Sequence, residues 1–245
     1  MLNSLAIIPA RGGSKGVPKK NIKLLKNFPL IAFSIAACEL STEIDHVIIS
    51  TDDEEIAGIS KKFGGNVPFL RPSELSKDTS HDKEFLIHAY EWFKKEKKID
   101  IDVFYIIRPT TPLRDPSLID EAIIKFRDHP EASSLVSIHE CPETPAKMFG
   151  KEGDFLHGLS PFDPRPEYFA LPRQLFPKTY VGNGYIDIIR TEIIFKNESF
   201  YGNRILSFET PDYGEIDIES DFKKIEYYSS KNNFEIVNYL KENYN

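Results

Sequence analysis

Residues 8–21 read Ile8-Pro9-Ala10-Arg11-Gly12-Gly13-Ser14-Lys15-Gly16-Val17-Pro18-Lys19-Lys20-Asn21, and this stretch decides the fold class. It follows the short apolar run 5–9, which predicts a first β-strand. Open α/β sheets bind their ligands just beyond the carboxyl ends of their strands. We therefore expect the stretch to be a ligand-binding loop of an α/β domain.

The composition of this loop predicts an anion site. Its glycines, Gly12, Gly13 and Gly16, let the backbone approach an anion and turn N–H groups toward it. The loop also carries the cations Arg11, Lys15, Lys19 and Lys20. It is neither a Walker A loop nor a G-x-G-x-x-G fingerprint. These residues have the chemistry to hold a triphosphate, and the alternative is an exposed basic surface loop.

Outside this loop, short β-branched runs alternate with segments whose apolar residues recur every three or four positions. This alternation is typical of βαβ units and predicts a mainly parallel sheet flanked by helices. The predicted strands are Leu5–Pro9, His46–Ser50, Val67–Leu70, Val103–Ile107, Ala132–His139, Gly184–Arg190 and Glu215–Ile218. The predicted helices are Pro29–Leu40, Asp53–Phe63, Asp82–Lys95, Pro116–Arg127, Asp221–Ser229 and Phe234–Tyr244.

The pattern changes in the second half of the chain. Residues 141–177 are rich in proline and show little periodicity, which is typical of a lid, a substrate loop or an interface arm. Residues 191–210 carry aromatic side chains that we expect to pack on a partner subunit, namely Phe195, Phe200, Tyr201 and Phe208. We assign residues 1–245 to one domain, with substrate-loop and dimer-arm segments at about 141–210.

An acidic stretch near the carboxyl terminus predicts a metal site. It reads Glu215-Ile216-Asp217-Ile218-Glu219. Residues two apart in a strand point to the same face, so Glu215 and Asp217 would present two carboxylates together. Hard oxygen ligands suit Mg²⁺, and nucleotidyl transfer normally needs a metal on the phosphates. From the spacing alone, the alternative is a solvated edge strand.

Two further stretches offer hydrogen-bond donors. Residues 108–114 read Arg-Pro-Thr-Thr-Pro-Leu-Arg and follow a predicted strand, so the prolines would fix a turn there. Residues 172–177 contain Arg173, which could pair with a substrate carboxylate through two hydrogen bonds. The alternatives are that residues 108–114 only form a turn and that Arg173 is an ordinary surface arginine.

The composition excludes several classes of protein. Hydrophobic residues make up 40% and charged residues 28%, as in globular proteins, and the net charge of −7 argues against bulk binding to nucleic acid or an anionic membrane. No segment reaches the roughly 20 apolar residues of a membrane span, and no signal-peptide pattern is present, so we expect a cytoplasmic protein. Cys38 and Cys141 are expected to be free thiols. The histidines lack zinc-ligand spacing.

Taken in this order, the motifs resemble the CMP-sialic acid synthetase family, the acylneuraminate cytidylyltransferases, over nearly the whole chain. Residues 8–21 resemble the family's nucleotide-binding signature. Further matches are Ser50-Thr51-Asp52, Leu70-Arg71-Pro72 with Glu74-Leu75 and Asp78-Thr79, Pro109-Thr110-Thr111-Pro112-Leu113-Arg114, Arg173-Gln174 with Pro177 and Asn183-Gly184, and Ile216-Asp217 with Glu219, Asp221-Phe222 and Glu226. The sister family that activates the eight-carbon acid Kdo has a different first loop.

The resemblance implies a Rossmann-like domain, a homodimer with an exchanged arm, CTP as the donor and Mg²⁺ as the cofactor. The implied reaction transfers CMP from CTP to the anomeric hydroxyl of a nonulosonic (sialic-acid-like) acid and releases pyrophosphate. The implied nucleotide-binding residues are Ala10, Arg11, Gly12, Gly13, Ser14, Lys15, Asn21 and Arg71. The implied catalytic residues are Arg11, Lys15 and Asp217, and the implied metal ligands are Asp217 and Glu215. The implied acceptor-binding residues are Arg108, Lys147, Arg173, Gln174, Phe200 and Tyr201, the last two on a dimer arm that closes the partner's site.

The sequence departs from the family pattern at two positions. Glu215 stands where the family usually has aspartate, which shifts the carboxylate by one methylene. Arg108 stands where glutamine is common, and we expect a cation there to change which sugar acid fits. The alternatives are a nucleotidyltransferase with another nucleotide or a Kdo-type acid, and a non-catalytic nucleotide-binding homologue. The family also implies a role in lipopolysaccharide or capsule biosynthesis.

Overall fold

The computed structural model describes residues 3–159, 163–196 and 199–244. The strands are β1 Ser4–Pro9, β2 Leu24–Leu25, β3 Phe28–Pro29, β4 Val47–Ser50, β5 Val103–Ile106, β6 Ser134–Glu140, β7 Phe149–Glu152, β8 Phe155–Gly158, β9 Tyr180–Arg190 and β10 Ile205–Glu209. The helices are α1 Leu30–Leu40, α2 Glu54–Lys62, α3 Asp82–Trp92, α4 Pro116–Arg127, α5 Thr191–Lys196, α6 Glu219–Lys231 and α7 Glu235–Tyr244.

A six-stranded sheet forms the centre, in the order β10-β6-β9-β5-β1-β4. β1 pairs in parallel with β4 and β5, and β6 pairs in parallel with β10. β9 runs antiparallel to both of its neighbours and joins the two parallel parts. The prediction of a Rossmann-like α/β fold with a mainly parallel sheet is confirmed. The carboxyl ends of β1, β4 and β5 consequently meet at one edge.

Helices cover both faces of the sheet, so β1 is buried on both sides. Ala6 and Ile8 face a large core that includes side chains of α1, α4, α6 and α7. Leu5 and Ile7 face a smaller core with Phe85 of α3. This alternation follows from the two-residue period of a strand, and it explains why the strand is apolar throughout.

Several helix boundaries agree with the local chemistry of the sequence. The Asp53 carboxylate accepts the backbone N–H groups of Glu55 and Ile56 at 2.8 and 3.0 Å, which caps α2. The Asp115 carboxylate accepts the N–H of Ser117 at 3.0 Å, with Pro116 in the first turn of α4. Within the described ranges, no helix is long and apolar enough to cross a membrane.

The predicted strand Val67–Leu70 is wrong. This segment has an isolated bridge between Leu70 and Thr51 rather than a ladder. Pro68 has no backbone N–H, so it cannot continue the hydrogen bonding of a strand.

The predicted strand Glu215–Ile218 is also wrong. The Ile216 N–H donates to the backbone carbonyl of Thr110 at 2.8 Å, but the segment forms no strand. The Asp221 carboxylate accepts the N–H groups of Asp217 and Ile218 at 2.8 and 2.9 Å, which turns the chain into α6 instead of continuing the sheet.

The irregular segment 141–177 contains an unpredicted hairpin, which we call the arm hairpin (residues 149–158). It is formed by β7 and β8, and Gly153 lies in its turn with a φ of +58°. Phe155 and Leu156 of the hairpin are 81% and 63% exposed. Residues 160–162 and 197–198 of the proposed substrate and dimer segments lie outside the described residues.

The expectation that Phe208 packs on a partner subunit is wrong, because its side chain is buried in the large core of its own chain. Phe195 packs against Tyr90 with the ring centroids 4.8 Å apart. Cys38 and Cys141 are both free, as predicted, and burial raises the pKa of Cys38 to about 12.

One fully buried cation, Arg114, joins the loop after β5 to β9. Its guanidinium donates to the backbone carbonyls of Tyr185 at 2.7 Å, Arg108 at 2.7 Å, Gly184 at 2.9 Å and Thr111, and to Ser34 Oγ at 3.2 Å. Burial lowers the pKa of Arg114 to about 10. The side chain therefore satisfies buried carbonyls that would otherwise lack donors.

We expect Arg114→Met to lose at least about 3 kcal/mol of unfolding free energy, because several buried carbonyls lose their donor. Urea denaturation measures the loss. The control is Arg127→Met, which removes an exposed arginine that pairs with Glu43 and should cost less than about 1 kcal/mol. An Arg114→Met protein as stable as this control would contradict the role given to Arg114.

Candidate functional site

A cavity of about 560 Å³ opens at the edge where β1 and β5 end. Its wall comes from four places in the sequence: residues 9–21, 71–85, 108–110 and the pair 215 and 217. The structure thus brings the glycine-containing loop and the acidic pair together, although about 200 residues separate them in sequence. We call residues 10–21 the glycine loop and residues 215–219 the acidic segment.

Hydrogen bonds within the glycine loop and to residues at the end of β4 hold the loop in shape. The buried Asn21 donates through Nδ2 to the backbone carbonyl of Arg11 at 2.9 Å. The N–H of Gly12 donates to Asp52 Oδ1 at 3.0 Å, and the N–H of the buried Ala10 donates to the carbonyl of Ser50 at 2.9 Å. These bonds give Asn21 a structural role in the loop in addition to its place in the cavity wall.

Two glycines of the loop differ in their surroundings. A Cβ on Gly16 would lie 2.2 Å from the backbone oxygen of Asp217, so only glycine allows the loop to contact the acidic segment there. A Cβ on Gly13 would meet no described atom within 4 Å. Gly13 therefore has open space on the side where a Cβ would lie, although it is not among the residues that line the cavity.

The two predicted phosphate-binding cations share one carboxylate. Asp78 pairs with Arg11 at 3.1 Å and with Lys15 at 2.7 Å. Arg11 also donates to the backbone carbonyl of Lys77 at 2.7 Å. The hydrogen bond from Lys15 lowers the pKa of the Asp78 carboxyl, which keeps it ionised. Sequence reasoning brought Arg11 and Lys15 together but gave Asp78 no role in the site.

Lys20 connects the glycine loop to the acidic segment. Its Nζ donates to the backbone carbonyl of Ile216 at 2.7 Å and contacts Asp217 Oδ1 at 3.3 Å. The Lys20 side chain is only 13% exposed, whereas Lys19 points away to Glu55. Lys20 is thus a site residue, which the sequence indicated only as one loop cation among four.

Residues 215–217 of the acidic segment alternate between the cavity and the core, although the segment is not a strand. Ile216 is fully buried, and the residues on either side of it, Glu215 and Asp217, both line the cavity. Glu215 Oε1 accepts a hydrogen bond from Thr110 Oγ1 at 2.7 Å. The described residues contain no group of three or more His, Cys, Asp or Glu side chains that could hold a metal. Two carboxylates fit an Mg²⁺ ion that completes its coordination with phosphate oxygens and water.

Arg108 lines the cavity, but it already has two carboxylate partners. Its guanidinium donates to Asp82 Oδ2 at 2.6 Å and to Asp187 Oδ2 at 3.0 Å. Burial lowers the pKa of Arg108, but the two aspartates outweigh burial and raise it. Burial also raises the pKa of Asp187, against the effect of Arg108. The cation predicted at position 108 is therefore neutralised within the chain.

Phe200 and Tyr201 lie behind Arg108 in their own chain. Tyr201 hydrogen-bonds the Asp187 side chain, and burial raises the pKa of Tyr201 to about 12. Both aromatic rings pack partly buried against the smaller core. Neither residue lines the described cavity, so their role in closing a partner's site stays a prediction.

Arg71 lies in the cavity wall as predicted. Its guanidinium is buried and stacks over the Phe85 ring, 5.5 Å from the ring centroid. Burial lowers the pKa of Arg71, and its Nε has no hydrogen-bond partner among the described residues. A buried donor without a partner at a cavity wall points to an acceptor supplied by a ligand.

Three further predicted acceptor-binding residues, in addition to Phe200 and Tyr201, lie outside the described cavity wall. Lys147 Nζ donates to the backbone carbonyl of Leu171 at 2.9 Å. Arg173 donates to the carbonyl of Cys141 at 3.3 Å, and Gln174 follows it in the same short 3₁₀ turn. All three belong to the irregular segment 141–177.

Comparison with known proteins identifies the family of the chain. A family model described as cytidylyltransferase matches residues 5–151. The CMP-N,N'-diacetyllegionaminic acid synthase of Legionella pneumophila is 32% identical over 80% of this chain and 82% of that protein. The N-acylneuraminate cytidylyltransferase of Escherichia coli is 31% identical over 88% of this chain. The matched part is 49% of that relative, so the chain spans about half of its length.

A solved structure shares the fold. CMP:2-keto-3-deoxy-manno-octonic acid synthetase complexed with CTP superposes with a TM-score of 0.70 at 17% identity, over 94% of this chain and 99% of the other. The family model covers more than half of the chain, and the Legionella relative covers most of it. The chain therefore belongs to the nonulosonate cytidylyltransferase family.

Proposed function

We propose that this protein transfers CMP from CTP to the anomeric hydroxyl of a nonulosonic acid and releases pyrophosphate. The observation that carries the proposal is the single cavity in which the glycine loop, with Arg11 and Lys15, faces the carboxylates of Glu215 and Asp217. Cations and backbone N–H groups on one wall with metal-binding oxygens on the other are the groups that a nucleotidyltransferase needs.

The wall of the cavity supports CTP as the donor. Arg11 and Lys15 would hold the phosphates, with the Ser14 hydroxyl beside them. Arg71, with its unpartnered Nε, would donate to a polar atom of the base. The cavity is large enough for a nucleotide-sized ligand.

Asp217 and Glu215 would hold Mg²⁺. When bound, the ion supplies Lewis-acid stabilisation of phosphate charge. Asp217 also contacts Lys20, so a cation already lies beside this carboxylate in the protein itself. Thr110 orients the Glu215 side chain through its hydrogen bond.

The proposed reaction is a direct displacement. The anomeric hydroxyl oxygen forms a bond to the α-phosphorus of CTP, and the bond from that phosphorus to the oxygen bridging to the β-phosphate breaks. Pyrophosphate keeps that bonding electron pair and leaves, and the proton of the anomeric hydroxyl passes to solvent water. Arg11, Lys15 and Lys20 would stabilise the negative charge on the phosphates, so the protein contributes mainly positioning and charge stabilisation.

We also propose that the protein is a homodimer formed through the arm hairpin. Phe155, Leu156 and the neighbouring Leu159 are at least half exposed, at 81%, 63% and 51%, which is typical of a surface that another subunit covers. In such a dimer, Lys147 and Arg173 would serve the cavity of the partner, since they do not line the cavity of their own chain.

The cytoplasmic location, the assignment of residues 1–245 to one domain, and the role in lipopolysaccharide or capsule biosynthesis stay predictions. So does the identity of the acceptor among the nonulosonic acids. The paired Arg108 favours recognition of the acceptor through Asp82, which remains 35% exposed, rather than through a free cation at position 108.

The direct test of the proposed activity is pyrophosphate release with Mg²⁺, four nucleotides and a panel of nonulosonic and Kdo-type acids. We expect release with CTP and a nonulosonic acid, and none with UTP, ATP or GTP. Preference for another nucleotide or a Kdo-type acid would favour a different nucleotidyltransferase. CTP binding without release across the whole panel would favour a non-catalytic homologue.

We expect Asp217→Ala to lower kcat by about 10²–10³-fold or more while the protein stays folded, because a proposed ligand of the Mg²⁺ ion that would stabilise the phosphate charge is lost. Steady-state pyrophosphate release over a range of Mg²⁺ concentrations, with a melting curve, checks this. Glu219→Gln is the matched control, because Glu219 pairs with Lys23 and lies outside the cavity wall. Near-normal turnover of Asp217→Ala would remove the metal assignment.

If the arm hairpin forms the dimer, Phe155→Asp should convert it to a monomer, because a buried unpaired charge is costly at an interface. Sedimentation equilibrium of the wild type and the variant measures the mass directly. Tyr227→Asp is the control, because Tyr227 is 60% exposed on α6, away from the hairpin in sequence. A monomeric wild type, or a dimer that Phe155→Asp leaves intact, would contradict the proposal.

A further inference from the structure

The carboxylate of Asp78 forms ion pairs with the cations that would bind the phosphates. Asp78 Oδ1 lies 3.1 Å from Arg11, and its Oδ2 lies 2.7 Å from Lys15. Asp78 and both cations line the cavity. A carboxylate and a phosphate offer the same kind of oxygen acceptor to these side chains, so the two anions compete for them.

Asp78 is carried by a compact turn across the cavity from the glycine loop, residues 77–80. The Lys77 N–H donates to Ser80 Oγ at 3.1 Å, and the Ser80 N–H donates to the Lys77 carbonyl at 3.0 Å. The turn therefore holds its own shape. Arg11 and Lys15 join it to the glycine loop, through Asp78 and the Lys77 carbonyl.

The ion pairs of Asp78 are weak enough to exchange. The side chains of Arg11, Asp78 and Lys15 are 35%, 37% and 79% exposed, so solvent screens both pairs. A pyrophosphate group carries more charge than one carboxylate and offers more acceptor oxygens. An entering nucleotide can therefore take over both cations, but it must displace Asp78 and then lie near a negative charge.

We propose that Asp78 is a resident counter-anion of the glycine loop that the β- and γ-phosphates displace, and that it weakens the binding of pyrophosphate so that this product leaves. Asp78 acts through Arg11 and Lys15 and is a positioning residue, not a catalytic one. The inference rests on the proposed function, because it requires CTP and pyrophosphate as ligands of this cavity.

The test is isothermal titration of wild-type protein, Asp78→Asn and Glu74→Gln with pyrophosphate, CTP and CMP in the presence of Mg²⁺. Asp78→Asn keeps the shape of the side chain and removes its charge. Glu74→Gln removes one negative charge from the neighbouring 3₁₀ turn Ser73–Leu75 without touching Arg11 or Lys15. Asp78→Ser serves as a second variant, and melting curves establish that each variant is folded.

We expect Asp78→Asn to bind pyrophosphate and CTP about three- to tenfold more tightly, the range for two screened ion pairs that no longer have to break. Affinity for CMP, which lacks the β- and γ-phosphates, should not change. Inhibition by pyrophosphate should strengthen by the same factor, and KM for CTP should fall. Glu74→Gln should behave like the wild type for all three ligands.

Weaker pyrophosphate binding by both Asp78 variants would overturn the inference, because Asp78 would then merely hold Arg11 and Lys15 in place. Equal changes for pyrophosphate, CTP and CMP, or equal changes in Glu74→Gln, would overturn it as well. A wild-type protein that binds neither CTP nor pyrophosphate would overturn the proposed function and this inference with it.

Discussion

The buried guanidinium of Arg114 is the interaction on which the site depends. It lies at 0% exposure with no carboxylate partner among the described residues, and backbone carbonyls of Arg108, Tyr185 and Gly184 satisfy its N–H groups. Burying a charge in this way is unfavourable, as the lowered pKa of Arg114 shows. The same bonds fix the turn after β5 against β9, and Arg108 and Thr110 in that turn face the cavity. One buried cation thus fixes the part of the cavity wall that residues 108–110 form.

Four of the cations that line the cavity already have carboxylate partners. Arg11 and Lys15 share Asp78, Lys20 contacts Asp217, and Arg108 bridges two aspartates. On a chain with a net charge of −7, these cations are balanced by carboxylates of the same chain. Nucleotide binding is then an exchange of anionic partners and not the filling of a positive pocket. The affinity depends on the difference between two sets of ion pairs, and not on the number of cations.

In the proposed reaction, contacts between the glycine loop and the acidic segment would link phosphate binding to metal binding. Gly16 allows the loop to approach the Asp217 backbone, and Lys20 holds the Ile216 carbonyl at 2.7 Å. A shift of the loop would therefore also move the carboxylates of Glu215 and Asp217. This arrangement explains why a segment that pairs with no strand can still present two oriented carboxylates: Ile216 anchors it in the core.

The sequence by itself determined the local structure: the glycine loop after β1, the capped helices α2 and α4, and the in-and-out alternation around Ile216. These features depend on neighbours in the chain, whose chemistry can be read from residue order. The tertiary structure alone decided that Asp78 faces Arg11, that Lys20 reaches the acidic segment, and that Arg108 is neutralised. Those partners lie between 26 and 197 residues apart in sequence, so the spacing of residues along the chain does not predict these contacts. The packing of the sheet and its helices determines which charged side chains come into contact, so these ion pairs follow only from the folded structure.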